Sequence, residues 1–225
     1  MMGLFLEAWY RKNKDGKVYS YRTIRLFVGV IAFSLPILVV VFSGEPELKS
    51  ISVSYYSEAR NTFVGFLFIV GAFLVSYRGH YTYESVVSVA AGFAAFVVAV
   101  APTACKAIEP SQMCDGVDTT LSKESMHVIA AFIMFGILTY FCLFPFRRKA
   151  ADREGIYALI RKWIYTSCGV VMILTMVGVL VFRNHYERTI FFAEWIMLWA
   201  FGIAWFTAGR IGDEQTENCS RTTKN

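Results

Sequence analysis

Between Met126 and Phe146 the chain reads MHVIAAFIMFGILTYFCLFPF, and this run contains no aspartate, glutamate, lysine or arginine. The hydrocarbon core of a bilayer is about 30 Å thick and an α-helix rises about 1.5 Å per residue, so roughly 20 apolar residues are needed to cross it. The run has 21 residues. It therefore predicts a helix that spans a membrane.

Five other stretches of the chain have the same apolar character. The 225 residues are 56% hydrophobic and only 17% charged, a larger apolar share than soluble domains carry. The second span along the chain is short and must either include residues 59–61 or tilt little in order to cross the bilayer. We therefore predict an all-α, polytopic membrane protein, a bundle of six transmembrane helices with spans at about 24–43, 62–77, 85–101, 126–146, 163–182 and 189–208.

The polar residues before and after these spans complete the predicted organisation. Residues 1–23 are polar and basic and are expected to form a cytoplasmic or interfacial segment. A cleavable signal peptide would carry its apolar core closer to the start, so the first span is expected to be a retained anchor. Residues 24–208 form the predicted transmembrane domain, and residues 209–225 a cytoplasmic tail that we expect to be disordered.

The distribution of lysine and arginine predicts the orientation. With the N-terminus inside, the inner segments hold 16 of these residues and the outer loops hold six. Basic residues in short loops resist translocation, so both termini are predicted to be cytoplasmic (N-in/C-in), in a bacterial inner (plasma) membrane. The net charge of +5 then reflects topology and anionic inner-leaflet lipid, so membrane lipids are the expected partners and nucleic acid is not. Homo-oligomerisation is left open.

Two cysteines fall together in the loop between the third and fourth spans. This loop, which contains Cys105 and Cys114, is predicted to be outside, whereas the other three cysteines lie in spans or in the cytoplasmic tail. Disulfides persist in oxidising compartments, so we predict a Cys105–Cys114 disulfide, with two free thiols as the alternative.

Polar residues are concentrated in the first outer loop, residues 44–61. Positions 50–56 read SISVSYY, and this alternation predicts an extended strand or lid and not a helix. Glu58, Arg60 and Asn61 follow at the mouth of the second span.

The sixth span contains an acid, Glu194, within the apolar run FFAEW at 191–195. Ionisable residues at such depth face the bundle interior and pair with another group. We predict Arg60 as the partner, in a pair that is either structural or functional.

An outward-facing pocket is the predicted binding site. His127 begins the fourth span, and His185, in an outer turn, approaches the same region. Zinc needs three or four convergent ligands, which this spacing does not supply, so no metal and no cofactor are predicted. The candidate ligand-binding residues are Ser52, Ser54, Tyr56, Glu58, Arg60, Asn61, His127 and Glu194.

No catalytic motif stands out in the sequence. A Gly-x-Ser-x-Gly elbow, a phosphate-binding glycine loop and a His-Glu-x-x-His pair are absent from it. Ser52 or Ser54 with His127 and Glu194 would make a triad only by convergence of separate helices. We therefore favour a non-enzymatic protein that binds a lipid or other amphiphile, with a membrane-embedded lipid hydrolase or a small transporter or channel as alternatives.

A strip of small residues marks the third span. Ser88, Gly92, Ala95 and Ala99 recur at helical spacing, and small residues allow close helix contact in a bilayer. We expect this strip to face a neighbouring helix and not lipid.

Two passages carry a family resemblance, residues 50–79, which close with SYRG, and residues 200–209. They resemble uncharacterised small bacterial six-span membrane proteins and, more distantly, the DRAM-like and Sfk-like membrane proteins. The resemblance implies a topology and no particular reaction. The alkaline ceramidases, another group of membrane hydrolases, use a paired His-x-x-x-His that this sequence lacks.

Overall fold

Six long helices account for most of the computed structural model, which describes residues 21–44, 48–103, 121–152, 155–182 and 188–209. A 3-10 helix at Ser52–Tyr56 precedes the second long helix, and a π-helical turn at Cys142–Phe146 follows the fourth. The α-helices are α1 Tyr21–Phe42, α2 Arg60–Ser76, α3 Thr82–Val100, α4 Leu121–Phe141, the short α5 Arg147–Ala151, α6 Ile156–Phe182 and α7 Thr189–Gly209. The predicted all-α fold is confirmed.

The long helices have the length and composition of membrane spans. Five of them are long and apolar enough to cross a bilayer, and α2 is shorter, with 17 residues. Because α2 begins at Arg60, it includes part of the extension at 59–61 that was one of the two alternatives for this span. Large apolar side chains also cover the outside of the bundle, among them Phe93 and Leu174, which are 59% and 65% exposed. Such a surface fits hydrocarbon, so the protein is an integral membrane protein.

Consecutive long helices pack as neighbours, and α1 closes the bundle by packing along α7. The bundle therefore has two ends. One, which we call the Glu194 end, contains the start of α4, the start of α7 and the 48–57 segment. The other, the Glu84 end, contains the starts of α1, α3 and α6.

The crossing of α2 and α3 depends on glycine. A Cβ atom on Gly92 would lie 2.6 Å from the carbonyl oxygen of Gly71 and 3.0 Å from the backbone nitrogen of Val75. Beside this contact, the Ser88 hydroxyl donates to the carbonyl oxygen of Leu74 at 2.7 Å. Ser88, Gly92, Ala95 and Ala99 are all buried, so the small-residue strip faces the interior of the bundle and not lipid, as predicted.

A second close crossing joins α1 to α7. A Cβ on Gly29 would lie 3.0 Å from both the Cβ and the backbone nitrogen of Phe206, and a Cβ on Gly202 would lie 2.9 Å from the ring of Phe33. The sequence does not reveal this pair, because the two glycines lie on helices far apart in the chain.

A second acid, Glu84, is fully buried at the Glu84 end. Its Oε2 accepts a hydrogen bond of 2.7 Å from the backbone N–H of His80 and one of 3.4 Å from that of Tyr81, and its Oε1 pairs with Arg148. The Arg148 guanidinium also lies 4.5 Å from the ring centre of Tyr81. Glu84 thus caps α3 and ties it to α5. The prediction from the sequence that Glu194 is the one buried acid is therefore wrong.

Replacing Arg148 with methionine is expected to lower the thermal midpoint, because Glu84 would stay buried without its cation. The fold should survive, since the two backbone N–H groups still stabilise the carboxylate at the start of α3. The neighbouring Arg147 is exposed and provides the control. Thermal denaturation in detergent should place R148M below both wild type and R147M. Equal midpoints for the two variants would contradict a stabilising role for the pair.

Candidate functional site

The segment 48–57 folds as a buried 3-10 turn, so the predicted extended strand is wrong. Its serines bond to the nearby backbone: the Ser54 hydroxyl donates to the carbonyl of Ile51 at 2.6 Å, and the Ser57 hydroxyl donates to that of Ser54 at 2.9 Å. Ser50 Oγ accepts from the backbone N–H of Val53 at 3.0 Å. Such local bonds favour a turn over a strand. The alternating pattern therefore reflects serines that hold a turn.

Glu194 anchors this turn to the bundle from α7. Its Oε2 accepts hydrogen bonds from the backbone N–H groups of Ile51, at 2.5 Å, and Ser52, at 3.3 Å. Its Oε1 accepts from the Ser52 hydroxyl at 2.6 Å. The start of a helical turn presents backbone N–H groups that lack partners within the helix, and the carboxylate satisfies them.

Arg60 is not the partner of Glu194, and that prediction is wrong. The guanidinium donates to the Tyr55 hydroxyl at 2.8 Å and lies 4.3 Å from the Tyr55 ring centre, on the exposed surface. Three nearer donors already satisfy Glu194, and bringing Arg60 inside would cost the hydration of its charge. Glu58 and Asn61 are exposed as well.

Below the turn lies a cavity of about 250 Å³ between α4, α6 and α7. Its polar residues lie towards the Glu194 end and come from four parts of the chain: Lys49, Ser50, Thr103, His127 and Glu194. The interior is lined mainly by apolar side chains, including Phe132, Phe135, Met176, Val179 and Met197. The cavity thus has one polar end and an apolar body.

His127 is buried at the polar end, and its Nδ1 lies 2.7 Å from the carbonyl oxygen of Ala101. A carbonyl only accepts, so Nδ1 carries the proton, and Nε2 is the ring nitrogen available to a ligand. A Ser-His-acid triad would need an acid at Nδ1. Because Ser52 bonds directly to Glu194 and His127 bonds to a carbonyl, the described residues do not form that arrangement.

Tyr56 fixes the other end of the turn. Its hydroxyl donates to the carbonyl oxygen of Thr103 at 2.6 Å, which joins the turn to the segment that follows α3. Burial, together with the neighbouring Tyr55, raises the pKa of Tyr56 to about 12, so the phenol stays a neutral donor at physiological pH.

The structure separates the predicted site residues into three groups. His127 and Glu194 line the cavity. Ser52, Ser54 and Tyr56 hold the turn above it. Glu58, Arg60 and Asn61 lie on the surface. Sequence reasoning missed Lys49, Ser50 and Thr103 as lining residues, and their only signal was that they lie in the predicted outer loops.

Two sequence predictions concern residues that the structure does not describe. The Cys105–Cys114 disulfide and the position of His185 lie outside the described residues. Where side chains are described, Cys142 and Cys168 are buried free thiols, and no group of three His, Cys, Asp or Glu side chains is placed to hold a metal ion.

No protein-family model, curated protein or solved structure matches this chain. The class to which it belongs therefore follows from its own geometry: an integral membrane protein built as a helical bundle. The resemblance to the DRAM-like and Sfk-like proteins stays a prediction from the sequence.

Proposed function

We propose that this membrane protein binds a lipid or another amphiphile in the cavity between α4, α6 and α7. The observation that carries the proposal is the division of the cavity into a polar end and an apolar body. Ligand sites are typically concave and mostly apolar, with a few polar groups that orient the ligand. The polar head of an amphiphile matches the polar end of the cavity, and its apolar chain matches the apolar body.

The mouth of the cavity supports entry of a lipid-like molecule. Val128 on α4 and Ile190 on α7 line the cavity and are 43% and 40% exposed. Both are apolar and belong to helices that have the composition of membrane spans. A molecule dissolved in the bilayer would therefore pass apolar side chains on its way into the cavity.

The charge count supports an orientation for this site. With 16 basic residues assigned to the inner side and six to the outer, both termini would be cytoplasmic, in a bacterial plasma membrane. The Glu194 end would then lie in the outer leaflet. The proposed ligand would enter from that leaflet.

Filling the cavity tests the proposal. Ala131 on α4 lines the cavity, and its replacement by tryptophan would occupy the apolar body. We expect A131W to weaken binding of a fluorescent single-chain alcohol to the protein in nanodiscs by about ten-fold or more, which corresponds to about 1.4 kcal/mol. Titration of the probe against wild type and variant measures the change.

Ile133, two positions further along α4, provides the matched control. It is 48% exposed on the outer surface of the bundle, so I133W adds the same side chain outside the cavity. Binding to I133W should equal that of wild type. If wild type shows no saturable binding, or if A131W and I133W bind alike, the cavity is not the site.

A further inference from the structure

We infer that the occupant is a single-chain amphiphile with a carboxylate head, of the fatty-acid class, and that Lys49 recognises the head. This inference rests on the proposed function. It depends on which polar groups at the cavity still have hydrogen-bonding capacity, and on the charge that they carry.

Glu194 is committed to the protein itself. Its carboxylate accepts three hydrogen bonds from Ile51 and Ser52, and these bonds place its charge against the turn. A cationic head would have to compete with those donors. The carboxylate therefore holds the turn at 48–57 in place above the cavity.

The groups that remain are mainly donors: Lys49, Ser50 and Thr103 can donate, whereas Nε2 of His127, with the proton on Nδ1, accepts. Lys49 lines the cavity, and no ion pair joins it to any acid in the described part of the chain. Ser50 Oγ already accepts from the backbone N–H of Val53, so its own O–H is left to donate. Thr103 lines the same end, and its side chain adds a second hydroxyl. One ammonium and two hydroxyls favour a head that accepts hydrogen bonds and carries negative charge.

The size of the cavity indicates one chain. Its volume of about 250 Å³ lies just below the roughly 300–1,000 Å³ that is typical of ligand sites. The apolar body is therefore matched to one alkyl chain. A second acyl chain would have to stay outside.

The number of cations favours a carboxylate over a phosphate. Phosphate groups are typically held by bidentate arginine or by several donors that match their larger charge. Lys49 is the one cationic side chain among the described residues that line the cavity. Glu194, on the same wall, disfavours a dianion. A monoanionic head is the better match.

The test compares four compounds that have the same dodecyl chain and different head groups. Dodecanoate, dodecanol, dodecylammonium and dodecyl phosphate each compete with the fluorescent alcohol on the full chain in nanodiscs. We expect dodecanoate to bind about ten-fold tighter than dodecanol, since a charge-assisted hydrogen bond contributes about this much. Lys49→Met should bring the ratio close to one and leave dodecanol affinity unchanged. Lys123→Met removes a lysine at the same end that does not line the cavity, and should keep the preference.

Each outcome is decisive. A preference for dodecanoate that K49M removes and K123M keeps supports the inference. Dodecanol, dodecylammonium or dodecyl phosphate binding as well as or better than dodecanoate overturns the carboxylate head but leaves the proposed function standing. A preference that survives in K49M, or that K123M also removes, overturns the role of Lys49. If no compound displaces the probe from wild type, the proposed function fails as well.

Discussion

Replacing Glu194 with alanine is expected to destabilise the protein by about 2–4 kcal/mol and to release the turn at 48–57 from the bundle. The substitution removes the acceptor for two backbone N–H groups and one hydroxyl. Ile51 and Ser52 are buried, so water cannot readily replace the carboxylate. Thermal denaturation should show a lower midpoint, and hydrogen exchange should accelerate at the amides of Ile51 and Ser52.

Glu194→Gln separates the contribution of the carboxylate's charge to stability from the contributions of its shape and hydrogen bonds. The amide oxygen still accepts from the backbone, and the amide nitrogen can donate to the Ser52 hydroxyl, so the loss should be about 1 kcal/mol. Ser52→Ala removes one of the three bonds and should be similarly mild. If E194A and E194Q were equally destabilised, the charge, and not the set of acceptors, would be what holds the turn.

The second large loss of stability is expected when Gly92 is replaced by alanine, which adds a single methyl group. The new Cβ would meet the Gly71 carbonyl oxygen at 2.6 Å and the Val75 backbone nitrogen at 3.0 Å. Backbone atoms cannot rotate aside as a side chain can, so α2 and α3 would have to separate. We expect Gly92→Ala to cost about 2–3 kcal/mol, and thermal unfolding with size-exclusion profiles measures the loss.

Gly65→Ala is the matched control on the same helix pair. Among the described residues, no atom beyond the backbone of the helix itself and the two chain neighbours lies within 4 Å of the Cβ position at Gly65, so the substitution should be neutral or slightly stabilising through helix propensity. A normal midpoint for G92A, or an equal loss for G65A, would show that close approach of α2 and α3 is not what stabilises the bundle.

The spans were predictable because apolar length is a local property. Each of the six predicted segments coincides with a long helix, but the ends differ where polar residues continue the helix. Helix α6 begins at Ile156, before the predicted span at 163, because the charged Arg161 and Lys162, which bounded the predicted span, lie within the helix and do not end it. Composition marks the apolar core of a span and not its last turn.

The candidate site was only partly predictable. His127 and Glu194 were identified because polar residues within apolar runs are costly and need partners. The partner of Glu194 was not identified, because the depth of a residue in the membrane does not determine which neighbouring helix or loop its side chain faces. The turn at 50–56 was misread because serine can satisfy nearby backbone groups and so produces an alternating pattern without a strand.

The sequence by itself determined that this chain is a helical membrane protein, because the bilayer requires each span to satisfy its own backbone and to present apolar side chains over a fixed length. Tertiary structure alone decided which helices meet at glycine, that Glu194 holds a buried turn, and that Lys49 and His127 border one cavity. Those contacts join residues far apart in the chain. They depend on the rotation and separation of whole helices, which the order of residues within each helix does not specify.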